Sequence, residues 1–513
     1  MLLQAVVGLL LWLVYMGLSM LHGHGSHGSQ SSPTPKPFPT NVGYSGKTRL
    51  GKAPFRAELD RLNVSGPDTA PVELRWIMNG TSIHEIHRNW GTATPYYPAT
   101  DLFPETKYSY ALPEQCHIRQ VHILYRHGAR YPAHGKRQAP GKFGKKVKKA
   151  RRKGKLSATG QLEFLNKWTY NLGRAALVPL GKQEMFAAGV EAQYAYGALL
   201  KDLKYHKPVF RTTSQSRMLD SARYWTLGFF GWDAPKRVNL EVIPEAPGFN
   251  NTLSPKHTCP GLNAPKPAKG PRLGEQWRAV YLRDAQARLQ KNLQGIKLSL
   301  EDVLMMMQLC AFETTGLGYS DFCSLFTPEE WAGYEYETDL SIQEEYGFTP
   351  KGRALGIGWV TEFAERLAQA RLDIPVTTQN MTLNNDERFF PLTQPIYVDF
   401  THDKVIMSII SALNLTQLKM PLDPTQIQHK RRYRTNRVTP FAARLVCEVV
   451  ECDGNRFVRV RLNDAVVPLN MDQGCAPRPD NLCDLESFVR YIQTYAYNAS
   501  HFDDVCFRHA GIM

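Results

Sequence analysis

The sequence predicts an α/β protein: a sheet domain flanked by helices, with a smaller, mainly helical insertion over about residues 265–390. Three observations predict it. Short apolar, β-rich runs recur at QVHILY (120–125), PVFRTTS (208–214) and PIYVDF (395–400), and each is followed by a segment that reads as a helix start. Helical patterns dominate the middle of the chain, between the second and third runs. No internal repeat is evident.

In chain order, residues 1–21 carry no charged side chain. They read as a secretory signal peptide, or as an uncleaved anchor because the basic start is missing and the apolar run is long enough to span a bilayer. Either way the rest of the chain is expected outside the cell, and no later segment is apolar for long enough to span. Residues 22–60 are rich in Gly, Ser and Pro and read as a disordered linker; His22, His24 and His27 within it read as solvated rather than as metal ligands. The domain proper is placed at 88–513. Its stretch 135–155, GKRQAPGKFGKKVKKARRKGK, has eleven Lys and Arg and no acid, and reads as a flexible, like-charged loop. EDVLMMMQLCAF (301–312) and VTEFAERLAQARL (360–372) read as helices, with Met305–Met307 as core. After PIYVDF, Thr401 is the expected N-cap of a helix over KVIMSIISALNL.

Composition narrows the function classes. An apolar share of 43% and a charged share of 21% describe a globular chain. Lys plus Arg outnumber Asp plus Glu 62 to 47, so the net charge of +15 points to anionic partners. Nine cysteines include no C-x-x-C pair, which removes zinc spacing; in an exported chain they read as four disulfides and one thiol. Six N-x-S/T sequons, at Asn63, Asn79, Asn250, Asn380, Asn414 and Asn498, fit a glycosylated exported protein.

The stretch that carries chemistry is YRHGARYP, which directly follows the first β-rich run. R-H-G-x-R-x-P fixes five residues, a chance match in roughly one chain of this length per ten thousand. Two guanidinium groups beside an imidazole suit a nucleophile attacking a phosphate. Arg126 and Arg130 bind phosphoryl oxygens, and their field disfavours the imidazolium form of His127, keeping a ring nitrogen free to attack. Gly128 permits close backbone approach and Pro132 stiffens the exit. A turn at the end of a strand is where open α/β sheets collect ligands.

RHGARYP together with His402-Asp403 resembles the histidine acid phosphatases, branch two of the histidine phosphatase superfamily, and within them the fungal phytase-like members. NWGTATPYYP (89–98), VPLGKQEM (178–185), FRTTSQSRMLDSA (210–222), NNTL (250–253), FCSLFTPEEW (322–331), THDKVIMSII (401–410) and PFAARLVCEVVEC (440–452) extend the likeness over about residues 88–508. The resemblance implies a mixed, mostly parallel central sheet flanked by helices. It implies that His127 becomes phosphorylated, that Arg126, Arg130, Arg217 and His402 hold the phosphate, and that Asp403 protonates the leaving oxygen and then activates water. A neutral His127 beside a protonated Asp403 implies an acidic optimum. The resemblance calls for no cofactor and no metal. It also suggests the disulfides Cys116–Cys452, Cys259–Cys506, Cys310–Cys323 and Cys475–Cys483, with Cys447 left over as a buried thiol or as an alternative partner for Cys116.

Arg211 and Lys404 are further substrate-binding candidates, though a structural cation is the more economical role for Arg211. Lys404 stands where some fungal phytases carry Asn, and with the 136–155 cations it suits a multiply phosphorylated substrate such as phytate. The stretch near Gln343, Glu344 and Glu345 is acidic where several relatives are basic, which points the other way. The function implied is a secreted phosphomonoester hydrolase acting on a small molecule, with no nucleic-acid partner and no membrane contact beyond an anchor at 1–21. The alternative is a catalytically silent polyanion or inositol-phosphate binding protein of the same fold.

Overall fold

A computed structural model describes residues 77–78, 81–82, 86–106, 111–133, 138–201, 207–263 and 271–508. The N-terminal segment, the linker with its three histidines, Asn63 and Asn79 lie outside these residues.

The centre is a twisted sheet with the strand β1 (Cys116–Arg126) in its middle. On one side of β1 lie β4 (Ile396–Thr401), β2 (Val209–Thr213) and β3 (Asn239–Ile243), in that order and all parallel. On the other side β5 (Arg444–Cys452) runs antiparallel to β1, and β6 (Asn455–Leu462) antiparallel to β5. The short strands β7 (Ala465–Val466) and β8 (Cys483–Asp484) both pair antiparallel with β6. Three pairings are thus parallel and four antiparallel: the sheet is mixed, as expected, with a larger antiparallel part than a mostly parallel sheet would have. The cause is local. Asp453 and Gly454, both at positive φ (50° and 80°), join β5 to β6 in a two-residue turn, and such a hairpin makes neighbouring strands antiparallel.

β1 is buried from Gln120 to Arg126 because both faces of the sheet are covered, which explains its unbroken apolar run. Val121, Ile123 and Tyr125 face a core shared with α2 (Pro179–Tyr196) and α3 (Ser216–Phe230), centred on Trp225, Phe210 and Phe400. The alternate residue His122 faces the other layer, stacked on Tyr397 and edge-on to Phe363 of α8 (Pro350–Ala368). Alongside α8 runs α9 (Asp403–Ala412). Thr401, expected as the cap of α9, belongs instead to β4, where its hydroxyl donates to the Leu253 carbonyl; His402 is the N-cap.

The helical part comprises α1 (Gly141–Arg152), α4 (Leu273–Tyr281), α5 (Arg283–Gln290), α6 (Leu300–Leu317) and α7 (Pro328–Tyr346). The expected insertion is therefore divided: α8 belongs to the sheet layer, while α1, far upstream, shares the helical core with α6. The run 135–155 was expected to be a flexible loop, but residues 141–152 form α1. Phe143, Val147 and Ala150, spaced i, i+4, i+7, bury one face; the Phe143 ring meets those of Trp168 and Phe322. Met305–Met307 are core, as the pattern of α6 predicts.

All four disulfides join the cysteines expected from the resemblance, and Cys447 is a buried free thiol. Asn250 and Asn498 are exposed and Asn380 is half-buried. Asn414 is only 8% exposed; its amide oxygen accepts from Arg353 and its nitrogen donates to the Asp472 carbonyl, so this sequon is corrected to a structural asparagine.

Candidate active site

The parallel register builds the site. Arg126 lies opposite Thr401 at the ends of β1 and β4, so the next residues of each strand, His127 and His402, emerge side by side with ring centroids 5.8 Å apart. β2 ends level with them, and the first turn of α3 brings Arg217 to the same place: its Nη2 is 3.5 Å from His402 Nδ1. Asp403 opens α9 beside His402, where the positive end of a helix meets the pocket. The six residues expected to form the site are thus brought together from three strand ends.

His127 Nδ1 donates to the Gly128 carbonyl at 2.9 Å, so the ring hydrogen is committed there and the lone pair sits on Nε2. Arg130 Nε is 3.4 Å from that Nε2. Burial, reinforced by Arg126, Arg217 and Arg130, holds His127 well below the usual histidine range, so the imidazole is neutral at acidic pH. Arg126 is fully buried. Its Nη1 donates to the carbonyls of Thr92 (2.5 Å) and Thr439 (2.7 Å), its guanidinium lies 4.5 Å from the centre of the Phe441 ring, and Nη2 is 3.2 Å from Asp403 Oδ2. Nε has no hydrogen-bond acceptor among the described residues and Nη2 has none beyond that ion pair, which leaves donors for an anion. Arg130 is steadied by the carbonyl of Tyr131 and by Gln138.

Asp403 differs from expectation. Burial alone would raise its carboxyl, but Arg126, Lys404 and Arg130 overcome burial and hold it well below the ordinary range. Asp403 is therefore an aspartate anion rather than a protonated acid.

Gly128 approaches another backbone. A Cβ there would sit 2.2 Å from the Gly181 carbonyl oxygen of α2, and a Cβ on Gly181 would meet Ala129 O at 2.0 Å. The two glycines let α2 lie against the RHGAR loop. Glu184 of the same helix then accepts from the N–H groups of Ala129 (2.7 Å) and Tyr96 (2.9 Å), and Ser221 of α3 accepts from Gly128 N–H at 3.2 Å.

Arg211 is not in the pocket. It is buried in an ionic cluster, donating to Asp399 through Nε and Nη2 (2.8 and 2.7 Å) and to Glu362 at 2.8 Å, so its candidacy as a substrate ligand is corrected to a structural cation. Lys404 is at the rim: its Nζ lies 5.1 Å from the Tyr346 ring centre, with Lys351 Nζ 4.7 Å from the same ring. Glu345 pairs with Lys351 and Arg272, so the acidic stretch at 343–345 is partly neutralised.

One site residue has no sequence motif. Glu245 follows β3, its side chain only 2% exposed, and its Oε1 lies 2.7 Å from His402 Nε2. Thr213 and Gln215 also donate to it, and Lys256 Nζ is 3.8 Å away. Burial would raise the Glu245 carboxyl, but His402 and Arg217 hold it well down as an anion. It therefore fixes His402 with a hydrogen on Nε2 and turns Nδ1 toward Arg217. Only its proximity to β3's end, beside β2, marks it in the sequence.

Comparison with known proteins agrees with this geometry. The family model of the histidine phosphatase superfamily (branch 2) matches residues 117–463. Phytase A of Aspergillus oryzae is 33% identical over 421 residues, covering 78% of this chain and 86% of its own length. Phytase A of Aspergillus fumigatus is 33% identical over 423 residues, with 78% and 87% covered. The crystal structure of the phytase from D. castellii shares the fold with a TM-score of 0.65 at 22% identity, over 89% of this chain and 93% of that one. With strand ends, RHGAR loop and sequence likeness in agreement, the chain belongs to branch 2 of the histidine phosphatase superfamily.

Proposed function

We propose that this protein is a secreted acid phosphatase of phytase type that hydrolyses phosphomonoesters, phytate (myo-inositol hexakisphosphate) among them, through a phosphohistidine intermediate. The observation that carries the proposal is His127 Nε2: a buried, neutral nitrogen that bears the ring's lone pair, accepts only a long 3.4 Å hydrogen bond from Arg130 Nε, and is flanked by Arg126, Arg130 and Arg217. Relatives at 33% identity carry the name Phytase A, which supports the substrate. The four disulfides and the apolar N-terminal segment support export.

In the first step the Nε2 lone pair attacks phosphorus, the N–P bond forms, and the P–O bond to the alcohol breaks. The alkoxide takes a proton from Asp403. In the second step Asp403 removes a proton from water, the hydroxide displaces Nε2, and phosphate leaves. The arginines bear the charge of the transferring phosphoryl group.

The proton on Asp403 arrives with the substrate. A phosphate monoester loses its second proton near pH 6. Below that, the monoanion brings a proton into the site, and the entering phosphate offsets the field of Arg126 and Arg130 that holds Asp403 ionised. Activity is accordingly expected on the acidic side, with His127 still neutral. The test is the purified protein assayed on phytate and on 4-nitrophenyl phosphate across pH without added metal. Hydrolysis that His127→Ala abolishes is the expected result. Undiminished turnover in that variant would remove the proposal.

A further inference from the structure

The helix α1 carries a charged surface whose cations make none of the contacts described for His127, Arg126, Arg130, Arg217, His402 or Asp403. Phe143, Val147 and Ala150 fix which way it faces. Lys145, Lys148, Lys149 and Arg152 recur at i, i+3, i+4, i+7 on the opposite side and are all exposed. They form a stripe about 10 Å long, with neighbours about 5–6 Å apart. Lys153 and Lys155, also exposed, continue it past the helix end.

The fold does not neutralise this stripe. Glu301 and Asp302, at the start of α6, pair with Lys142 (3.5 Å) and Lys146 (2.7 Å), which lie at the edge of the stripe. No carboxylate pairs with Lys145, Lys148, Lys149, Arg152, Lys153 or Lys155 among the described residues. The first turn of α1 holds no acid, so its early lysines also face the positive end of the helix dipole. Like charges at i, i+4 repel. The helix therefore bears a repulsion that its own packing does not require and that an anion laid along it would relieve.

We propose that this face docks a linear acidic polysaccharide. The stripe matches a chain whose charges repeat along its length. It exposes no aromatic ring for stacking a base and no apolar side chain for entering a lipid surface, since Phe143 and Val147 are buried. Lysine dominates, giving flexible point charges rather than the bidentate forks suited to one phosphate. Four disulfides place the chain in an oxidising compartment, where acidic glycans rather than nucleic acids are the polyanions met. The phosphatase is thereby held on an acidic matrix by the exposed face of α1.

The test compares three forms of the full chain on immobilised heparin and on polygalacturonate. These are the unaltered protein, a stripe variant (Lys145, Lys148, Lys149 and Arg152 each →Gln), and a scattered variant (Lys201, Lys207, Lys236 and Lys419 each →Gln) with the same net charge as the stripe variant. Turnover of 4-nitrophenyl phosphate and the melting temperature report folding and are expected unchanged. The unaltered and scattered proteins are expected to stay bound at about 0.15 M salt, and the stripe variant to lose roughly tenfold or more in affinity. Equal binding by all three forms overturns the proposal, as does an equal loss in both variants, which would make net charge the cause. Stronger retention on duplex DNA or on phosphatidylserine vesicles than on either polysaccharide also overturns it. Lysine acetylation of the unaltered protein needs no variant: bound heparin should shield Lys145, Lys148 and Lys149 but not Lys201 or Lys236, and uniform labelling would count against the surface.

Discussion

Replacing Glu245 with Gln tests how His402 is held. The carboxylate lies 2.7 Å from His402 Nε2, its side chain 2% exposed, and is kept anionic despite burial. When a phosphate dianion arrives at Nδ1, His402 can take a second proton only if Nε2–H still faces a negative partner. Burial otherwise drives its pKa down, and the Glu245 charge is the main force in the other direction. A hydrogen bond to a charged group contributes about 1.5–3 kcal/mol. Lost from the phosphate-bound state, that corresponds to about a tenfold to hundredfold fall in kcat/KM. The amide of Gln keeps the size and one acceptor for Thr213, so folding is expected to survive. The assay is kcat and KM for 4-nitrophenyl phosphate across pH, with inhibition by inorganic phosphate measured alongside. The expected result is a weakened phosphate inhibition constant and a raised KM, greatest on the alkaline side. A variant within twofold of the unaltered enzyme in both quantities would refute the reasoning.

Arg211→Met should cost about 3–5 kcal/mol of stability, because it leaves Glu362 buried without its cation and Asp399 with Arg366 alone; urea unfolding would show a lowered midpoint. Asp403→Asn should slow phytate hydrolysis far more than that of 4-nitrophenyl phosphate, since 4-nitrophenolate leaves without a proton; equal losses would deny Asp403 its role as proton donor. Burial raises the carboxyl of Glu184 to about 7 and that of Glu241 to about 8, from an ordinary value of 4.5. Between these limits the folded chain holds protons that the unfolded chain releases, so stability falls as pH rises. Glu184→Gln and Glu241→Gln should therefore each lose less melting temperature than the unaltered protein between about pH 5 and about pH 8, the buried neutral histidines acting alike in all three.

Most of the candidate site was legible because its residues are concentrated in short motifs. YRHGARYP marks the end of β1 and THDK the end of β4, and the register of Arg126 against Thr401 turns those two distant motifs into neighbours. Glu245 was not legible, because a carboxylate in PEAPGFN acquires meaning only when β3 ends next to β2 and β4. Arg211 sits in the same motif as Arg217 but reaches across to Asp399, opposite it on β4, in a buried ion cluster, a difference that spacing does not encode. The reading of 135–155 as a loop failed for a different reason: eleven cations outweighed the three apolar residues that pin α1 down. The antiparallel half of the sheet had its own signal, the Asp453-Gly454 turn between two β-rich runs, which went unread beside the parallel pattern of the other strands.

The claim on which the rest depends is that His127 Nε2 takes the phosphoryl group. Rapid acid-free quenching of the enzyme turning over 4-nitrophenyl phosphate, followed by peptide mass spectrometry, measures it directly. The account predicts an alkali-stable, acid-labile phosphate on the peptide containing RHGARYP, located on His127 and absent from His127→Ala. A phosphate on another residue, or turnover with no phosphoenzyme at any quench time, would contradict it.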